Sequence, residues 1–142
     1  MAKRIMIFIE GTTFYTKFPM FLFTKYGYKP IGNAVEIVNA WKDEGHEIYL
    51  CSYVQKRRYN FIKSVIDFYG MKYNEILCRR KGEQYSEIVE RIRPDILIED
   101  DCRSIGGQKE WCITNVKEEL KLEIKSMIVP EFKGIDDIKI DK

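Results

Sequence analysis

Glu10 follows directly on the apolar run Ile5-Met6-Ile7-Phe8-Ile9, and Gly11, Thr12 and Thr13 come straight after it. A buried strand ending in a carboxylate, a glycine and two hydroxyls is how α/β proteins present a charged group and an anion-cradling turn at a sheet edge. Three later segments end in a similar way. Ile48-Tyr49-Leu50-Cys51 is followed by Ser52, and Ile76-Leu77-Cys78 by Arg79, Arg80 and Lys81. Ile96-Leu97-Ile98 runs into Glu99-Asp100-Asp101. Acids, hydroxyls and a cation at four strand tips suit a divalent cation together with a phosphate. Hard carboxylate oxygens hold Mg²⁺, while hydroxyls, backbone N–H groups and Lys81 hold the anion. Neighbouring carboxylates repel each other and a bound cation relieves that cost, which singles out Glu99-Asp100-Asp101.

The elements that must position these groups alternate between strand and helix. Continuous apolar runs such as Ile5 to Ile9 read as strands covered on both faces. Ala34, Ile37, Val38 and Trp41 recur at helical spacing and Gly45 closes that helix. Tyr59, Ile62, Val65, Ile66 and Tyr69 mark a second helix ending at Gly70. Tyr85, Ile88, Val89 and Ile92 mark a third, stopped by Pro94. Asn115 with Glu118 has the spacing of a helix cap and its partner, and Met127-Ile128-Val129 is a fifth strand. Repeated β-α units predict a mostly parallel sheet with helices on both sides. One interval breaks the rhythm: residues 14–32 are too long for a tight connection and carry Phe14, Tyr15, Phe18, Phe21, Phe23, Tyr26 and Tyr28. Lying just after Glu10, they read as a flap over the site, as aromatics packed on the core, or as a partner surface.

Composition limits the function classes. The chain has 142 residues, is 45% apolar and carries a net charge of +2, which predicts one folded domain without a phosphate-backbone footprint. Nucleic acid and membrane are therefore not expected as partners, and a small phosphorylated molecule is. No run approaches the roughly 20 apolar residues of a membrane helix, and the start Met-Ala-Lys-Arg lacks a signal-peptide pattern, so a cytoplasmic location is expected. Cys51, Cys78, Cys102 and Cys112 include no Cys-x-x-Cys pair and read as small apolar residues of a reducing compartment. The sole histidine, His46, falls in a turn expected at the opposite end of the sheet from Glu10.

Taken together, these tips resemble the four motifs of the haloacid dehalogenase-like (HAD) superfamily of phosphohydrolases, over nearly the whole chain. Phe8-Ile9-Glu10-Gly11-Thr12 is similar to the family's Asp-x-Asp-Gly-Thr. Ser52 stands for the motif-two hydroxyl, Lys81 (less well Lys72) for the motif-three lysine, and Asp100 and Asp101 for the motif-four acids. The resemblance implies a three-layer Rossmann-like α/β fold with sheet order 5-4-1-2-3 and a single domain over residues 1–142, with 14–32 as a minimal cap. It also implies Mg²⁺, held by Glu10, Asp100 and Asp101, and phosphate held by Thr12, Ser52 and Lys81; Arg57, Arg58, Arg79 and Arg80 read as outer contacts beside them.

The sequence departs from the family at one decisive place. Phe8 stands where the family has the nucleophilic aspartate, and phenylalanine cannot attack phosphorus, bind a metal or accept a proton. Glu10 keeps the acid/base carboxylate of the second aspartate but adds a methylene. The expected activities are thus Mg²⁺-dependent phosphate-ester hydrolysis by another route, with Glu10 as the catalytic group, or binding of a phosphorylated ligand. Other readings are an interaction module on the HAD fold and a site built around Cys102. Glu10-Gly11 with Glu99-x-Asp101 is also similar to Toprim domains, the metal-binding modules of primases and topoisomerases. That reading leaves Thr12, Ser52 and Lys81 without a role.

Overall fold

The computed structural model describes residues 2–140. Its organising element is β1 (Arg4–Phe8), whose side chains alternate between two apolar layers. Ile5 and Ile7 face one layer, and Met6 and Phe8 face the other. β1 pairs in parallel with β4 (Glu47–Gln55) on one side and β6 (Ile96–Asp100) on the other. β5 (Glu75–Arg79) extends the sheet beyond β4, and β7 (Lys125–Val129) extends it beyond β6. The result is a five-stranded, all-parallel, Rossmann-like sheet in the order β5-β4-β1-β6-β7. This numbering differs from the expected 5-4-1-2-3, which left no place for two short strands. β2 (Phe14–Thr16) and β3 (Tyr28–Pro30) form a separate antiparallel pair.

Helices α1 (Ala34–Asp43) and α2 (Tyr59–Tyr69) cover the Ile5/Ile7 face through Val38, Trp41, Ile62, Val65 and Ile66. The other face is covered by α3 (Tyr85–Ile92), α4 (Cys112–Asn115) and α5 (Glu118–Lys121). Gly70 closes α2 in the left-handed conformation that its periodicity requires. The cap proposed at Asn115 is not one. Asn115 is the last residue of α4, and its amide donates to the carbonyls of Lys109 and Trp111. A reciprocal N-terminal arrangement occurs instead at α3, where the Gln84 N–H donates to Glu87.

The interval 14–32 is both flap and core. Phe14 and Tyr28 are fully buried, whereas Phe18, Phe23 and Tyr26 are exposed. The hydroxyl of Tyr69 on α2 donates to the Tyr28 and Lys25 carbonyls, and the Arg58 guanidinium donates to the Leu22 carbonyl. These bonds pin the flap to α2 and to the turn before it. No helix among the described residues is long and apolar enough to cross a membrane.

Candidate functional site at the strand tips

The carboxyl ends of β1, β4 and β6 border a cavity of about 330 Å³, at the place where parallel α/β sheets keep their ligand sites. Its wall joins Phe8, Glu10, Tyr85, Asp100 and Cys102 to Phe21 of the flap. Phe8 occupies the β1 tip and packs its ring on Tyr85 of α3, with centroids 5.5 Å apart. The Arg79 guanidinium lies over the Tyr85 ring, 5.0 Å from its centroid.

Beyond Phe8 the chain makes a tight turn. Thr13 N–H and Phe14 N–H both donate to the Ile9 carbonyl, and Gly11 N–H donates to the Phe14 carbonyl. Gly11 sits at φ +83°, and a Cβ there would lie 2.6 Å from Asp100 Oδ2. Both the backbone and the contact therefore require glycine. Gly11→Ala should cost about 2 kcal/mol of stability, read by urea denaturation. A loss within measurement error would show that Asp100 swings aside freely.

The turn aims Glu10 at its own neighbours. Glu10 Oε2 accepts from the Ser52 hydroxyl at 2.7 Å and the Tyr28 hydroxyl at 2.8 Å, and Oε1 accepts the Tyr53 N–H at 2.9 Å. Burial raises its pKa above the ordinary carboxylate value, and the three hydrogen bonds oppose that rise. Ser52 lies inside β4, at the start of a register irregularity that runs to Gln55, rather than after the strand as expected. Asp100 Oδ1 accepts the Cys102 N–H at 2.8 Å and Oδ2 accepts the Thr12 hydroxyl at 3.2 Å. Its pKa is also raised, by burial first and by the nearby Glu131 carboxylate. Asp101 points elsewhere, taking the N–H groups of Arg103 and Glu131. Buried Glu99 caps the first turn of α4 through the Cys112 and Ile113 N–H groups, and burial pushes its pKa up to about 7.

The proposed ligand sets do not assemble as drawn. Among the described residues, no group of three or more His, Cys, Asp or Glu side chains is placed to hold a metal ion. Glu10 and Asp100 spend both oxygens on local donors, Asp101 turns its Oδ1 to two backbone N–H groups and is not part of the cavity wall, and Phe8 supplies no oxygen, so the residues present do not fit the implied Mg²⁺. The phosphate set is also dispersed. Thr12 and Ser52 spend their hydroxyl protons on carboxylates, so neither is a free donor to an anion. Lys81 is exposed in the turn after β5 and is not part of the cavity wall, and Lys72 pairs with Asp43 on the surface. Among the described residues, no lysine or arginine lines the cavity.

The remaining candidates separate cleanly. Cys102 reaches the cavity, but burial and the Asp100 and Glu99 carboxylates push its thiol up to about 12, so it is no thiolate. Cys51, Cys78 and Cys112 are buried and free. His46 is buried beside the N-terminal end of the sheet, where its Nδ1 accepts the Lys3 N–H. Trp111 donates its indole N–H to the Asp101 carbonyl, tying its loop to the β6 tip. Tyr85 and Glu131 of the cavity wall, and Tyr28, whose hydroxyl donates to Glu10, carry no site signal of their own in the sequence motifs. Extending the strand-tip rule to β7 would have found Glu131, two residues past Val129.

Comparison with known proteins adds a fold. No protein-family description and no curated protein matches the sequence. Among solved structures, a chain of the Pnkp1/Rnl/Hen1 RNA repair complex matches with a TM-score of 0.65 at 14% identity, covering 91% of this chain and 43% of that one. A second Pnkp1/Rnl/Hen1 structure matches at 0.65 and 13%, covering 92% and 47%. The chain thus spans less than half the length of these two relatives. D,D-heptose 1,7-bisphosphate phosphatase from B. bronchiseptica, complexed with magnesium and phosphate, matches at 0.57 and 11%, covering 96% of this chain and 97% of that one. The likeness is one of fold. It shows a parallel α/β architecture shared with these structures and leaves the chemistry to the site itself.

Proposed function

We propose that this chain is a ligand-binding module on a HAD-like fold, whose strand-tip cavity holds a small molecule and does not turn over a phosphate ester. The observation that carries this reading is Phe8. A ring packed on Tyr85 fills the position from which the resemblance would have a carboxylate attack. The surroundings support it, because the cavity wall combines aromatic rings with carboxyl groups and lacks a cation to neutralise phosphate. Such a wall suits a molecule with an apolar body against Phe8 and Phe21 and no anionic group facing the carboxyls of Glu10 and Asp100. The volume of about 330 Å³ is within the range of small-molecule sites.

The competing reading is Mg²⁺-dependent hydrolysis with Glu10 as acid or nucleophile. It requires Glu10 to leave Ser52, Tyr28 and the Tyr53 N–H, three bonds that hold it in place. Release of phosphate from small aryl and sugar esters, with and without Mg²⁺, separates the two. Wild type and Phe8→Asp should both remain at the buffer background, since restoring one carboxylate brings no cation to the cavity. Wild-type turnover that disappears in Glu10→Gln would establish the hydrolytic reading instead.

A further inference from the structure

A net charge of +2 conceals two very unlike parts of the chain. Residues 11–35 and 48–66 contain no Asp or Glu at all, but carry Lys17, Lys25, Lys29, Lys56, Arg57 and Arg58. Lys63 is the remaining cation of these stretches, and it is paired with Asp67 at their border. Folding brings the two stretches together. The Arg58 guanidinium donates to the Leu22 carbonyl at 2.7 Å. Phe21 of the flap packs on Tyr53 with centroids 5.7 Å apart. Lys25 Nζ stands 4.5 Å from the Phe68 ring, so the flap also meets α2. None of the six unpaired cations has a carboxylate within ion-pair distance among the described residues.

The same face exposes aromatic rings. Phe18 is 74% accessible, Phe23 77% and Tyr26 67%, and Phe68 is half exposed. These rings meet at tilted or edge-on angles, as in Tyr26–Phe68 at 80° and Phe18–Phe21 at 56°, rather than stacking face to face, and Lys25 stands over the Tyr26 and Phe68 rings. Folding leaves these rings out, although Phe14 and Tyr28 of the same segment are wholly buried. Open planar rings set among cations that lack counter-charges match the two repeating parts of an unpaired nucleic acid strand. Bases stack on the rings, and phosphates meet the lysines and arginines. An apolar membrane-inserting face would instead need an extended amphipathic helix, whereas the helical pieces here are three-residue turns at Met20–Leu22 and Lys25–Gly27.

We propose that this flap face binds single-stranded nucleic acid, with Phe18, Phe23 and Tyr26 as stacking platforms and Lys17, Lys25, Lys56 and Arg57 as phosphate contacts. The proposal is independent of what the strand-tip cavity holds.

Fluorescence anisotropy with a labelled oligouridylate of about 12 nucleotides tests it on the full chain. Wild type should bind, with log affinity falling linearly against log salt at a slope of about −0.7 per phosphate contact. Lys17→Glu/Lys56→Glu/Arg57→Glu should weaken binding at least about tenfold and flatten that slope. Phe18→Ala/Phe23→Ala should also weaken it at least about tenfold but leave the slope in place, because stacking is not ionic. These side chains are exposed, and an unchanged circular dichroism melt verifies that both variants fold. A blunt duplex of equal length, whose bases are already stacked, should bind more weakly than the single strand. The proposal is overturned by any of three results. The first is an anisotropy that wild type leaves unchanged at low salt. The second is equal binding of duplex and single strand with the Phe18→Ala/Phe23→Ala variant unaffected. The third is sedimentation with phosphatidylserine vesicles without binding of the oligonucleotide, which would make the face a membrane surface.

Discussion

Phe14→Ala should destabilise the protein by about 3–5 kcal/mol, the largest effect expected of any single side chain in the flap. The ring is fully buried and contacts Tyr69 at 5.4 Å and Tyr28 at 6.2 Å between centroids. Its removal leaves a cavity between the flap and α2 and also forfeits two aromatic pairs, each worth about 0.5–1.5 kcal/mol beyond burial. The backbone of Phe14 completes the turn that aims Glu10, with its N–H on the Ile9 carbonyl and its carbonyl taking the Gly11 N–H. Stability and site geometry are therefore coupled at this residue. Urea denaturation gives the free energy, and Phe18→Ala is the matched control. Phe18 lies in the same segment but is exposed, and its loss should stay within about 0.5 kcal/mol. If the two variants lost equally little, the flap would be an appendage that the core does not need, and the placement of Tyr28 over Glu10 would lose its support.

The same contrast explains what could be read from the sequence. Ile5 to Ile9, Ile48 to Cys51 and Ile96 to Ile98 declare themselves because a strand buried on both faces must be continuously apolar. Gly70 and Pro94 declare helix ends because backbone chemistry leaves few alternatives there. The strand tips border the cavity, with Phe8, Glu10, Glu99 and Asp100 in its wall. Residue type could not reveal where each carboxylate would point. Asp100 and Asp101 are adjacent, yet one turns to Thr12 and Cys102 and the other to the Arg103 and Glu131 N–H groups. Lys81 looked like a motif lysine by order along the chain, but α3 begins only at Tyr85 and leaves it in an exposed turn. Net charge is blind to arrangement for a related reason. It averages over the surface, whereas Lys25 and Arg58 are gathered with the rings by tertiary contacts that no composition records.

The pH dependence of stability should run opposite to that of ordinary acid denaturation. Burial raises Glu99 from 4.5 to about 7, more than the Cys112 and Ile113 N–H groups lower it. The folded protein therefore holds this proton more tightly than the unfolded chain does. Its contribution is fully present below pH 4.5 and is lost as pH rises through about 7. The difference is worth about 3 kcal/mol, at roughly 1.4 kcal/mol for each tenfold change in proton affinity. Glu10 and Asp100, whose pKa values burial also raises, act with the same sign. Asp67 is shifted downward by its Lys63 partner, so its contribution is lost only at pH values below its ordinary 3.8 and does not compete in this window. Chemical denaturation at a series of pH values from about 5 to 8 should accordingly show stability falling as pH rises. Glu99→Gln cannot titrate. It keeps an acceptor for the Cys112 N–H but brings an amide up against the Ile113 N–H, so it should start lower at pH 5 and follow a flatter curve. Parallel curves for the two proteins would mean that Glu99 is ionised throughout. Its carboxylate would then be held by the α4 N–H groups strongly enough to outweigh its burial.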